Sequence, residues 1–358
     1  MKRVVMACAI ASVALTLSHT ATAHIWRVNN DATRHPDFIT IPAAVAAAAE
    51  GDTIHVEPSA TAYGAFVLNK RLVILGSGYF LSGSGLQATT DSSVVNSMTV
   101  DSSATNANAS GSLISGLSFL TTVNLIHNVH DVTLTRCLFA GLLSFVGFDR
   151  AAAGISISKC FLQSNLSGSG STGLVTISIE NNIFSAATGF GSGATILDAN
   201  FTGLFRNNTL NSNAAAFTLN NFYIANNVFT FSAMAAINGG NNIIRNNSFA
   251  ATAVAGITGG ADGNQVNISM PALFTGSLMT GHGDTRFQTA NGGSLRASGE
   301  TISGITPDRG AYNTVATTDS YRSSGIPAIP TIYALTVPQS IPPTAVTMDI
   351  SVSTRSNN

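Results

Sequence analysis

The chain has 358 residues, and only 9% of them are charged, against about 25% in an ordinary soluble protein. Sixteen Lys and Arg against 17 Asp and Glu give a formal net charge of −1, which excludes a basic footprint for nucleic acid and a strong acidic field for cations. Only three cysteines are present, with no metal-binding or nucleophile spacing among them.

The first 23 residues read as a secretory signal. Lys2 and Arg3 are followed by an apolar run from Val4 to Leu17, then by the small-x-small triplet Ala21-Thr22-Ala23. The run is shorter than the about 20 residues that span a bilayer, and no later segment is long and apolar enough to cross one. Cleavage at Ala23/His24 would give a secreted or cell-surface chain beginning at His24; an uncleaved anchor is the alternative. No Cys stands at the cleavage point, so lipid attachment there is not expected.

His24 to Asn29 reads as an opening strand. An Ala-rich helix is expected over Ala43 to Ala49, with Thr40 as N-cap, Pro42 in the first turn and Gly51 ending it. Ile41, Val45 and Ala48 share one helical face. A lone helix before a long series of strands suggests a lid that hides an open sheet edge.

Short β-type runs follow, separated by Gly, Asn and Ser: Thr53–Val56, Ala65–Leu68, Leu72–Leu75, Leu113–Phe119, Val132–Phe139, Ile155–Leu162 and Val175–Phe184. No helix is expected between Gly51 and Ile268. A phrase then recurs: N-N-I-F at Asn181–Phe184, N-N-T-L at Asn207–Leu210, N-N-V-F at Asn226–Phe229 and N-N-S-F at Asn246–Phe249. The second Asn falls at 182, 208, 227 and 247, at intervals of 26, 19 and 20. Matching the apolar frame extends the series backwards to Cys137 and Cys160. Self-similarity at this period marks a stack of small units rather than a sandwich or barrel.

Coils of about 20–25 residues built from short strands can stack with a rise of about 4.8 Å, each strand pairing with its copies above and below. Inward residues then form columns: Ile157, Ile179, Phe205, Ile224 and Ile244 in one; Phe139, Leu162, Phe184, Leu210, Phe229 and Phe249 in another. Cys137, Cys160, Asn182, Asn208, Asn227 and Asn247 form a structural ladder at a bend. There Asn tolerates the left-handed conformation and its amide can bond to the next coil. Stacked cysteines lie within disulfide range, but parallel side chains often point the wrong way to join, so two buried free thiols are the other reading.

Past Ile268, the segment from Asp284–Gln288 through Pro307–Tyr312 resembles the final coil of many secreted bacterial β-helix proteins. Ile326–Pro330 reads as a stiff linker. Thr331–Val337 and Ala345–Ser353 read as two strands around the Pro-rich turn Gln339–Pro343. A hairpin alone is marginal, so it is expected to pack on the stack, covering its last rung; a remnant sorting or attachment segment is the alternative.

The Ala-rich helix, G-D-T-I-H-V at Gly51–Val56, L-N-K-R-L-V-I-L-G at Leu68–Gly76 and the N-N-x-F rungs together resemble the right-handed parallel β-helix of the pectate-lyase-like superfamily, from about Trp26 to Tyr312. The resemblance implies an all-β solenoid of about ten coils with a short N-terminal capping helix. The implied layout is a signal peptide at 1–23, the β-helix with its cap at 24–325, and a Pro-rich linker with a C-terminal hairpin at 326–358. That superfamily holds lyases, hydrolases, epimerases and adhesins, so the likeness speaks to fold more than to activity.

Chemistry is sparse. Hydrolases need paired carboxylates, and lyases tend to gather Asp around Ca2+ beside an Arg or Lys base. The acids of the central stack, Asp131, Asp149, Glu180 and Asp198, do not share a register. Glu180 aligns with Arg206 as a stacked ion pair, and Arg136 and Lys159 align with Asn181 as a solvated basic edge. The sharpest constellation is His127-Asn128-Val129-His130-Asp131 with Asp149 and Arg150 one coil later, a candidate acid–base or metal group, although turn residues also belong there. Asp308-Arg309-Gly310 reads as turn and cap chemistry, as does Gly281–Asp284, where His282 and Asp284 could hold a cation. Ca2+-binding glycine repeats are absent, so no cofactor is expected and Ca2+ has no motif behind it. Two functions follow. One is a secreted, non-catalytic surface, adhesion or glycan-binding protein whose partner is a polysaccharide or cell-surface glycan. The alternative is a polysaccharide lyase or glycoside hydrolase working through His127, His130, Asp131, Asp149 and Arg150.

Overall fold

The computed structural model describes residues 23–82, 85, 87–103, 108–185, 196–211, 216–276, 283–315, 319–338 and 347–356. The signal segment, His282 and the turn Gln339–Pro343 lie outside them. The chain winds as a parallel β-solenoid of the right-handed type, about eight turns long. Sheet 1 has ten strands, from Ile25–Val28 to Ile243–Arg245; sheets 2 and 3 have eight each. The expected count of about ten coils is met only in sheet 1, because the chain does not complete its triangle at either end of the stack.

Each long β-run of the sequence is two strands. Leu113–Phe119 divides into Leu113–Ser115 and Ser118–Phe119, and Val132–Phe139 into Thr133–Thr135 and Leu138–Phe139. A two-residue bend separates the strands, and its two positions do different work. The first residue takes the left-handed conformation: Arg136 (φ 54°), Lys159 (56°), Asn181 (56°), Asn207 (55°), Asn226 (58°) and Asn246 (52°). The second points inward and is fully buried. The sequence reading gave both roles to the second Asn; the backbone assigns the left-handed turn to the first.

The second positions form a continuous ladder. Asn182 Nδ2 donates to Asn208 Oδ1 (3.1 Å), Asn208 to Asn227 (3.0 Å), Asn227 to Asn247 (2.9 Å) and Asn247 to Asn264 (3.1 Å). Each Oδ1 also accepts the backbone N–H one coil back, ending with Cys160 N–H on Asn182 Oδ1 at 2.9 Å. Asn264 is a rung that the N-N-x-F phrase does not disclose. Cys137 and Cys160 fill the earlier places as buried free thiols. The two apolar columns stack in the expected register, Ile157–Ile179–Phe205–Ile224–Ile244 and Phe139–Leu162–Phe184–Leu210–Phe229–Phe249.

The one α-helix among the described residues spans Ile41–Ala47, with Thr40 Oγ1 accepting the Ala43 N–H (3.4 Å). Ile41, Val45 and Ala48 are buried against the first coils. Asp52 ties this end together, accepting from His24 N, Trp26 Nε1 and Ala49 N at 2.8–2.9 Å.

Residues 268–276, 283–315 and 319–330 depart most from the sequence reading. They do not add a final coil. They leave the last rung and run back along the outside of the stack as a strap. Arg309 Nη1 donates to Asn247 O and Ser248 Oγ, Gly310 N to Asn226 O, and Ala311 N to Thr209 Oγ1. Asn181 Nδ2 donates to Ala311 O, Lys159 pairs with Asp319 (2.6 Å), and Arg136 Nη1 donates to Ile326 O (2.7 Å). The contacts descend one coil at a time. Beneath the strap lies a second apolar core, in which Leu138, Phe161, Ile183 and Val228 of sheet 2 meet Phe274, Phe287, Leu295 and Tyr312. Arg136 and Lys159 are therefore strap anchors, not a solvated edge. Asp308-Arg309 is a buried staple: the Asp308 carboxylate accepts from Ala297 N, Thr314 N and Thr314 Oγ1. Asp284 is buried too, accepting from Tyr321 Oη and Ser324 N.

The tail hairpin pairs Thr331–Thr336 with Ser351–Arg355 in antiparallel fashion. It does not cover the last rung. Ile332 O accepts from Ala88 N near the start of the stack, and Leu335, Met348, Ile350 and Val352 stay exposed.

Candidate functional site

Two concave surfaces involve residues that carry chemistry. The first is a shallow dish of about 490 Å³, where sheet 3 hands over to sheet 1; His127, His130, Asp149 and Arg150 line it with Ser102 and Ser110. Four of the five residues singled out in the sequence therefore meet. Asp131 does not line the dish but holds His130 Nδ1 at 2.8 Å. His127, Asn128 and Asp131 all adopt positive φ (56°, 59° and 53°), which turns the chain sharply and gathers these side chains at one corner.

His127 has a partner that the sequence reading missed. Its Nδ1 lies 2.9 Å from Asp101 Oδ1. Asp101 pairs with Ile126 across adjacent coils, so the register itself places the carboxylate beside the next residue. Burial pushes the Asp101 carboxyl up, but bonds from His127 and Ser103 outweigh it and hold the group below its ordinary value. Asp149, largely exposed, is lowered chiefly by the amide of Asn128, whose Oδ1 also accepts Arg150 N at 2.9 Å. A carboxylate-oriented imidazole is acid–base equipment. The dish is open, however. Both His side chains are 51% exposed, and Asp149 and Arg150 are 68% and 83% exposed, so little water is excluded. Among the described residues, no group of three or more His, Cys, Asp or Glu could hold a metal ion.

The second surface is a groove of about 550 Å³ between the outer face of sheet 1 and the strap. Its floor carries Ser156, Ser158, Glu180 and Arg206 from successive coils; its far wall carries Ile302, Ile305, Pro307, Asn313 and Asp319. The floor is spaced by sheet register, Ser158 above Glu180 above Arg206. Glu180 and Arg206 form the expected pair, Arg206 Nε and Nη2 donating to Glu180 Oε2 at 2.8 and 2.5 Å. At the edge between floor and wall, Asn181 and Asn207 donate to the strap carbonyls of Ala311 and Asp308, while Asn226 Oδ1 accepts Glu300 N. Asn313 Oδ1 accepts the N–H groups of Asp308 and Val315, leaving its buried Nδ2 without a partner among the described residues. The sequence held half of this site. The Glu180–Arg206 alignment follows from the repeat, but nothing local brings residues 302–319 to it.

Compared with models of known families, with curated proteins and with solved structures, the chain matches none. No helix among the described residues is long and apolar enough to cross a membrane.

Proposed function

We propose that the protein is a secreted or cell-surface, non-catalytic member of the pectate-lyase-like superfamily that binds glycan in the groove between sheet 1 and the strap. One observation carries the reading: a 550 Å³ cleft whose hydroxyl, amide and ion-paired side chains are held at fixed spacing on one side and face apolar strap residues on the other. Its volume lies within the about 300–1,000 Å³ of ordinary ligand sites. Sugars present both hydroxyl rims and apolar ring faces, and the two walls offer partners for each. Ser156→Trp, on the floor, should abolish binding on a glycan array while leaving the unfolding transition intact; binding undiminished by that change would refute the assignment.

A second reading rests on the His127–Asp101 pair, which fits a polysaccharide lyase or glycoside hydrolase using the dish. It requires that pure protein degrade a polysaccharide and that Asp101→Asn or His127→Ala abolish the activity. No degradation across neutral and uronate polymers would dismiss it.

A further inference from the structure

Every formal charge lining the groove is already matched within the protein. Glu180 and Arg206 pair with each other at 2.5 Å, and Asp319 pairs with Lys159 at 2.6 Å. Just beyond the groove, Arg245 faces Glu300 at 3.5 Å, and Tyr223 Oη donates to the same Glu300. Lys159–Asp319 and Arg245–Glu300 join the stack to the strap and persist only while the strap is docked, whereas Glu180–Arg206 lies within sheet 1. The remaining floor groups are the hydroxyls of Ser156 and Ser158, and the facing residues Ile302, Ile305 and Pro307 are apolar.

We infer that the groove takes an uncharged polysaccharide segment, not a uronate chain. The inference rests on the glycan-binding reading and narrows it. An anionic sugar would have to pull Arg206 or Lys159 from its carboxylate and leave Glu180 or Asp319 unpaired beside the ligand. A neutral hydroxyl asks for neither. It can accept from a guanidinium edge and donate to a carboxylate while the pair stays closed, because Arg has five N–H donors and a carboxylate about four acceptor sites. The floor repeats along the stack at one step per coil, about 4.8 Å. A chain lying along the axis would therefore meet one polar group of the floor at each step, Ser158, then Glu180, then Arg206.

The test uses the mature chain from His24 and titrates two groups of probes by calorimetry. The neutral probes are hexasaccharides of glucose, mannose and galactose; the anionic ones are hexagalacturonate and hexamannuronate. At least one neutral probe is expected to bind at least about tenfold more tightly than either uronate. Its affinity should hardly change between low and high salt, since screening acts on net charge. Glu180→Gln leaves Arg206 without its carboxylate, and Asp319→Asn does the same to Lys159. Either should raise uronate affinity about tenfold. Both touch partly exposed positions, so one can serve if the other misfolds. Tighter binding of a uronate by the unaltered protein overturns the inference and leaves the glycan reading standing. If no probe of either kind binds, the glycan reading falls and the inference with it. Neutral binding that survives Ser156→Trp places the site elsewhere and overturns the inference.

Discussion

Replacing Asn208 with Ala should damage the stack about as much as truncating an aliphatic core side chain. Asn208 is fully buried. Its Nδ2 donates to Ile179 O (2.9 Å) and Asn227 Oδ1 (3.0 Å), and its Oδ1 accepts Asn182 N (2.9 Å) and Asn182 Nδ2 (3.1 Å). Truncation strands the Asn182 N–H, since water cannot reach it. It also removes one bond each from Ile179 O and from Asn182 Nδ2, which keeps Ile157 O (2.9 Å). Asn227 Oδ1 loses least, because it still accepts Asn208 N (2.8 Å). One stranded buried donor costs about 1–3 kcal/mol, and two lost bonds add about 0.5–1.5 kcal/mol each. The total is about 2–6 kcal/mol, comparable with the about 2–5 kcal/mol of an aliphatic core truncation to Ala, although far less hydrocarbon is removed. Equilibrium urea unfolding measures it. Asn69→Ala supplies the control, since Asn69 is exposed and lies outside the ladder, and it should change stability by less than about 0.5 kcal/mol. If the two variants unfold at the same urea concentration, the ladder carries no special stability and the reasoning is wrong.

Other consequences are narrower. Arg309→Ala removes a buried guanidinium that donates to Asn247 O, Ser248 Oγ, Gly263 O and Ser298 O; we expect a loss of about 2–4 kcal/mol, with proteolysis cutting residues 283–315 before the coils, and simultaneous cleavage throughout would count against a strap. Burial pushes the Cys160 thiol well above its ordinary value, so Cys137 and Cys160 should resist a thiol reagent in the native protein and react promptly in denaturant; fast native labelling would contradict their sealed position. Burial raises the Asp52 carboxyl, but donors from His24, Trp26 and Ala49 outweigh it and leave the group below its ordinary value. A lowered carboxyl stabilises above its unfolded pKa of about 3.9 and loses that contribution as pH falls through the folded value; Asp52→Asn should therefore flatten the acid limb of stability below about pH 4, and an unchanged limb would show that another carboxylate governs it.

Much of the fold was legible because the repeat supplies a register. Once Asn182, Asn208, Asn227 and Asn247 share a column, the apolar columns follow without further information, and so does the Glu180–Arg206 pair. The bend itself was misread by one residue. Both members of an Asn-Asn pair can adopt the left-handed conformation, and only the inward direction of the second decides which one does. Arg136 and Lys159 stand at the same left-handed position at a penalty of about 1–2 kcal/mol, which an isolated basic edge would not explain. Asp101 is recoverable in principle, since its strand ends one coil before His127, but the N-N-x-F frame reaches back only to Cys137.

The strap was not legible, for a physical reason that also governs function. A repeat can be read because each coil touches only its neighbours; the strap residues 283–315 and 319–330 touch a different coil every few residues, and no period records that. The two Asn residues of each rung show the consequence. One builds the ladder inside the stack, while Asn181, Asn207 and Asn226 face outward and hold the strap. The motif that announces the architecture therefore also fixes where a non-repeating segment docks. The groove forms at that seam, with Glu180 and Arg206 from the repeat on one side and Asp319 from the strap on the other. In a solenoid whose coils are nearly uncharged and nearly alike, the chemistry collects where the repetition is broken from outside.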